Sequence, residues 1–303
     1  MPATDPYTVQ IAPQVHAYVQ PDGGWCLNNA GFVSDGESTL LVDTTATERR
    51  ARALREAVLA TGVPLPRTLV NTHHHGDHTY GNGVFVPEAV VIGHDSCRSE
   101  ALSAGHQLHL LWPRTDFGDI RITAPTVTYN DRLTVHVGEI EVRLIHPGVA
   151  HTPGDTIVHL PGQGVVFTGD LIFQGGTPFV PMGSLSGSLR ALEMLRSLDA
   201  TTVVPGHGPL TDPSAYDATE RYLRYVAELA LDGHAKGRTP LETAREADLG
   251  VFAELRESER MVANLHRAYA ELNGEPDGSP LDAAALFADM AAMNGGVPVA
   301  CHA

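Results

Sequence analysis

The chain has 303 residues, 43% of them hydrophobic, enough for one large domain or a domain with an appendage. Its formal net charge of −16 argues against nucleic acid as a partner, because phosphates require a basic stripe. Three widely spaced cysteines without metal spacing, no apolar stretch of membrane-spanning length and no leader at the N-terminus lead to the expectation of a reduced, soluble, cytoplasmic protein.

Residues 7–20 and 25–34 alternate and are rich in β-branched side chains. Pro21, Asp22, Gly23 and Gly24 between them predict a hairpin turn. A strand at 39–43 ends at Asp43, and residues 48–61 have helical periodicity closed by Gly62. The apolar run 67–70 reads as a buried strand delivering a polar stretch at 71–82. A strand near 89–92 and a helix over 95–109 follow, then strands at 126–128, 132–137, 139–146, 155–160 and 164–169. After a loop over 172–187, a helix is expected at 188–198 and a short strand at 202–204. Strands interspersed with helices argue for an α/β four-layer αβ/βα sandwich. After residue 211 strand signals vanish. Asp212-Pro213, the capping box at 239–242 and Ser279-Pro280 predict helices, with a further long helix over 253–272. The expected division is a catalytic domain over 1–210 and a helical C-terminal lobe over 211–303 packed on it.

The stretch at 73–78 places His73, His75, Asp77 and His78 in one loop leaving a strand end. Three further candidates, His151, Asp170 and His207, each come just after a strand-like run and are flanked by Gly or Pro. Imidazole and carboxylate together suit zinc, and also iron or manganese, and five histidines with two aspartates are too many for one tetrahedral ion. Two such ions would trap a water and lower its pKa to near neutrality. His74 points away from this group by its register, and His94 and His146 are candidates to support the ligands from behind.

Over residues 7–210 this pattern resembles the metallo-β-lactamase-fold hydrolases. That resemblance implies two metal sites: His73, His75 and His151 on one ion, Asp77, His78 and His207 on the other, with Asp170 bridging. It implies two Zn2+ per chain, with Fe or Mn as alternatives, and Asp77 as a ligand that also relays a proton. Flavodiiron proteins carry Glu where His75 stands, and many zinc β-lactamases carry Cys or Ser where Asp170 stands. Asp170 resembles the ester- and thioester-cleaving branch, such as hydroxyacylglutathione hydrolases and lactonases.

Stretches 24–31, 111–114, 132–136, 176–179, 262–268 and the end of the chain further resemble the second-ring cyclase/thioesterases of actinomycete aromatic (type II) polyketide biosynthesis. The resemblance implies an acyl carrier protein-bound polyketide as substrate, closed and then released by thioester hydrolysis. Trp25, Trp112, Phe117, Phe173 and Phe179 are candidates to line an aromatic cavity beside the metals. Arg98, Arg114 and Arg190 are candidates to meet an acidic carrier protein. The alternatives are a generic thioesterase or lactonase, and a metal-dependent binding protein without turnover.

Overall fold

The computed structural model describes residues 5–303; residues 1–4, part of the stretch that carries the no-leader expectation, lie outside the described residues. The first half of the chain builds β1 (Tyr7–Ala12), β2 (Val15–Val19), β3 (Ala30–Ser34), β4 (Thr39–Val42), α1 (Glu48–Ala60), β5 (Thr68–Val70), the short α2 (Gly76–Thr79), β6 (Val90–His94), α3 (Asp95–Ala104), α4 (Gln107–Leu111) and β7 (Val127–Tyr129). Its seven strands form one sheet in sequence order, antiparallel from β1 to β4 and parallel from β4 to β7.

The second sheet holds β8 (Arg132–Val137), β9 (Ile140–Ile145), β10 (Ile157–Leu160), β11 (Val165–Phe173) and β12 (Thr202–His207), in the order β12-β11-β10-β9-β8. Helix α5 (Leu185–Arg196) is the crossover that lets β12 run parallel to β11. The chain then continues as α6 (Ser214–Ala235), α7 (Pro240–Glu246), α8 (Arg260–Leu272) and α9 (Ala283–Met293).

Alternation along the strands sorts the layers. In the first sheet Val33, Leu40, Val42 and Val70 face Val142, Leu144, Val158 and Phe167 of the second, making the inter-sheet core. Their neighbours Phe32, Leu41 and Leu69 face outward and bury Leu54 and Val58 of α1. Each such fully buried side chain contributes about 1.5–3 kcal/mol. On the far side Ile157, Val166 and Val203 pack under Leu192 and Leu195 of α5, in a core that continues into α6 and α8. The two sheets and their outer helices are the expected four-layer sandwich, with α6–α9 as the helical extension.

Several boundaries differ from the sequence reading. The run 7–20 is itself a hairpin, β1 and β2 turning at Gln14 (φ 66°). The expected turn at 21–24 does join antiparallel strands β2 and β3, but within a longer loop that includes residues 25–29. Helix 95–109 is broken in two at Gly105, whose φ of 50° ends α3. Helix α8 starts at Arg260, because residues 250–252 form a separate short 3-10 turn. Asp282, not Ser279, caps α9, accepting from Ala284 and Ala285 N–H. The capping box of Thr239 and Glu242 on α7 is present as expected.

Candidate metal centre and its cavity

All seven expected ligands gather where the two sheets meet. Strands β4 and β5 run parallel and end together, Val42 opposite Val70, so Asp43 lies beside the loop that leaves β5. Asp43, with a left-handed φ of 58°, accepts hydrogen bonds from Thr72 N (2.7 Å), Thr72 Oγ1 (2.6 Å) and His78 Nδ1 (2.8 Å). This buried carboxylate therefore sets the loop and the His78 ring together. The sequence reading passed over it; the signal was an aspartate one step past a strand parallel to the ligand-bearing one.

The second sheet supplies the rest. Asp170 lies inside β11 rather than after it, and His207 is the last residue of β12. Gly206 is obligatory here, because a Cβ at that position would meet Asp170 Oδ1 at 1.9 Å. The loop carrying His151 is shaped by Asp155, which accepts from His151 N (2.7 Å), Thr152 N (2.9 Å) and Thr152 Oγ1 (2.5 Å). Burial pushes Asp155 up to about 7, against those bonds.

Donor atoms form two groups. His73 Nε2 and His151 Nε2 lie 3.1 and 3.0 Å from His75 Nδ1. Asp170 Oδ2 is 3.8 Å from His73 Nε2 and 3.4 Å from His151 Nε2. In the second group His207 Nε2 is 3.3 Å from Asp77 Oδ2, and within that group each residue offers an atom within 4.8 Å of the others. Asp170 reaches this group too, with Oδ1 3.1 Å from His78 Nε2 and Oδ2 3.5 Å from His207 Nε2.

Outer hydrogen bonds decide which ring nitrogen is bare. His151 Nδ1 donates to the Phe179 carbonyl (2.5 Å), His75 Nε2 to Met182 Sδ (3.0 Å) and His73 Nδ1 to Thr72 Oγ1 (3.1 Å). The inward nitrogens of all three rings then carry lone pairs aimed at one point, an arrangement that a shared cation satisfies and mutual hydrogen bonding does not. His78 Nε2 and Asp170 Oδ1 are likewise buried without a hydrogen-bond partner. Burial disfavours charge on His207, yet Asp170 and Asp77 push it up to about 9. Burial instead holds His73, His75 and His151 below the usual imidazole range, in the neutral form that ligates metal, and these rings with the two carboxylates fit two transition-metal ions. Metal analysis of protein purified without chelator should find close to two equivalents. A stoichiometry of one that persists after zinc reconstitution would remove Asp170 as a bridge.

His75, Asp77, Asp170 and His207 form one end of a cavity of about 250 Å3. Of the five aromatics expected in it, Trp25, Trp112, Phe173 and Phe179 line the wall. Phe117 does not: it is buried against Tyr80 (6.0 Å) and His109 (4.6 Å), where its carbonyl also accepts from Glu48 N. The sequence reading missed Phe287 of α9, along with Leu108, Leu111 and Met182. Arg260 of α8 stacks its guanidinium 4.0 Å from the Trp25 ring centre, donates to the Thr177 carbonyl (3.0 Å) and pairs with Glu257.

Other expected residues fall outside the centre. His94 and His146 stack at 3.8 Å and bond to the carbonyls of Asn130 and Asp155, one step removed from any ligand. His74 points away, buried with neither ring nitrogen partnered. Arg98 donates to the Pro125 carbonyl and Arg190 pairs with Asp277. Arg114 lines an open groove with Arg49 and Arg52. Among the described residues no helix is long and apolar enough to cross a membrane.

A family model of the metallo-beta-lactamase superfamily matches residues 23–207, ending before α6. The alpha subunit of 2,4-dinitroanisole O-demethylase from Nocardioides sp. (strain JS1661) is 26% identical over 219 residues, 70% of this chain and 63% of that one. Hydroxyacylglutathione hydrolase from Gloeobacter violaceus is 34% identical over 155 residues, 51% of this chain and 53% of that one. The same-named protein of Brucella anthropi is 27% identical over 238 residues, covering 78% and 75%. The chain thus spans roughly half to three quarters of the length of these relatives. A solved metallo-beta-lactamase from Pontibacter korlensis superposes with a TM-score of 0.58 at 23% identity, covering 72% of this chain and 99% of that one, a likeness of fold.

Proposed function

Because this chain belongs to the metallo-beta-lactamase superfamily, we propose that it is a metal-dependent hydrolase cleaving a thioester or ester with a bulky, flat, apolar acyl group. The observation that carries this reading is the apolar, aromatic-walled cavity with two groups of metal-ligand atoms at one end. Two bound ions, zinc by preference, with iron or manganese as alternatives, supply Lewis acidity toward a carbonyl oxygen and lower the pKa of water.

The chain's own residues do the rest. Asp77 both belongs to the ligand group and lines the cavity, so its carboxylate is placed to take a proton from the attacking nucleophile. Trp112 spends its indole N–H on the Val299 carbonyl (2.8 Å), and Trp25 spends its own on Glu259 (3.1 Å). Both rings therefore present apolar surface to a substrate. The relatives named hydroxyacylglutathione hydrolase support hydrolysis as the first reading.

The second reading is the polyketide cyclase/thioesterase, acting on an acyl carrier protein-bound polyketide. It is supported by the contiguous aromatic wall: Trp25 to Phe179 at 5.0 Å, Trp25 to Trp112 at 5.7 Å and Trp112 to Phe287 at 6.1 Å between ring centres. Arg114, with Arg49, is the remaining candidate to meet such a carrier, since Arg52 in the same groove is paired with Glu48.

One experiment tests the aromatic wall on which both readings depend. Steady-state rates of the zinc-loaded protein are measured on a small thioester and on an aromatic acyl thioester, for the parent, Trp112→Ala and Phe179→Ala. Loss of one ring contact of about 1.5–3 kcal/mol should lower kcat/KM for the aromatic substrate roughly 10–100-fold. The small thioester should change little. Equal losses on both would mean that the rings only hold the core, and the cyclase reading would fall. No turnover of any thioester or ester at full metal content would remove the hydrolase reading itself.

A further inference from the structure

Cys26 and Cys301 are far apart in sequence but meet in the fold. The Trp25 carbonyl accepts a hydrogen bond from His302 N (3.0 Å), one residue before Cys26 and one after Cys301. The two cysteines flank this bond, close enough for each thiol to act on the other's proton affinity. Two further bonds fix the tail independently: Trp112 Nε1 to the Val299 carbonyl, and Arg50 Nη2 to the His302 carbonyl (3.1 Å). Cys26 also holds a left-handed φ of 68°, which a non-glycine residue keeps only under constraint.

The pair straddles a wall. Cys26 is buried and lines the cavity, whereas Cys301 is half-buried and opens onto the surface groove with Arg49, Arg52 and Arg114. We propose that Cys26 and Cys301 are a peroxide-sensitive dithiol, a modification site at which a hydroperoxide converts two thiols into one reversible disulfide. Nothing in this inference depends on which acyl substrate the protein takes.

The roles are unequal. The neighbouring Cys26 thiol holds the Cys301 thiol down at about 7, against the opposing effect of burial. Burial holds Cys26 well up, so it stays a thiol. Cys301 thiolate attacks the distal peroxide oxygen, the O–O bond breaks, and the alcohol or water leaves with a proton from solvent. The Cys301 sulfenic acid then reacts with Cys26: the S–S bond forms, the S–O bond breaks, and hydroxide departs with the Cys26 proton as water. Two thiols and one hydroperoxide give a disulfide, an alcohol and water. Cys97, fully buried and away from this pair, is the internal control.

The test uses the full-length, metal-loaded protein treated with hydrogen peroxide, alkylated under denaturing conditions and digested without reductant for mass spectrometry. Two of the three thiols should disappear together, a Cys26–Cys301 cross-linked peptide should appear, and dithiothreitol should restore both thiols while Cys97 is alkylated throughout. In Cys26→Ser, Cys301 should stop at a dimedone-trappable sulfenic acid. In Cys301→Ala, both remaining thiols should survive, and that variant reads out the proposal even if Cys26→Ser does not fold. Oxidation of Cys301 to sulfinic acid with Cys26 still alkylatable, or loss of Cys97 at the same rate, would overturn it.

Discussion

Asp170→Ala should lower turnover roughly a thousandfold or more, given that a single electrostatic stabiliser in a buried site is already worth about 10²–10³ in kcat. Asp170 reaches donor atoms of both groups: His73 and His151 on one side, His78 and His207 on the other. Among the described residues no other carboxylate does so, since Asp77 belongs to one group only. The chain should nevertheless keep its fold. The inter-sheet core of Val42, Leu144, Val158 and Phe167 does not involve Asp170. The measurement is turnover alongside circular dichroism and metal content. Global unfolding of the variant would make the centre structural, and retained turnover would remove Asp170 from the chemistry.

Arg260→Ala should destabilise the fold by about 3–5 kcal/mol, the cost of leaving one partner of a buried ion pair uncompensated. Arg260 is only 1% exposed and pairs with Glu257, whose other oxygen accepts from Trp25 N (2.5 Å). Removing the guanidinium leaves that carboxylate without its charge partner and strips the Trp25 face of its stacking group. Denaturant unfolding of the variant measures the loss. Adding Glu257→Gln should recover part of it, because the stranded charge is then gone. A loss below about 1 kcal/mol would place this pair with ordinary exposed salt bridges.

The metal centre was legible because its chemistry is local. The loop at 73–78 shows four candidate ligands at once, and Gly or Pro mark the turns that present His151 and His207. The four-layer architecture followed from alternation and helical period. Long-range partnership was less legible. Asp43 joins the centre only because β4 and β5 end in register, which a single strand does not reveal. Phe117 is aromatic and adjacent to Trp112 in sequence, but the turn after α4 sends it to Tyr80 instead of the cavity. Phe287 was missed for the opposite reason: its helix is apolar nearly all round, so no face of it stands out until α9 is docked over Trp25 and Trp112. The turn at 21–24 does join antiparallel strands, but a second hairpin inside 7–20 went unread because Gln14, a non-glycine residue, takes the left-handed conformation there.

The position of the ligands across the seam between the sheets has a thermodynamic consequence. His73, His75, Asp77 and His78 hang from the end of β5, whereas His151, Asp170 and His207 belong to the second sheet. An ion held by both groups binds the folded chain and not the unfolded one, so folding and metal occupancy are linked by mass action. At about a thousandfold excess over its dissociation constant, one such ion adds roughly 4 kcal/mol to the free energy of unfolding. The melting temperature is then a function of free metal concentration, and a ligand variant read at low metal will look like a folding mutant. Denaturation of this protein is an assay of metal activity as much as of its core.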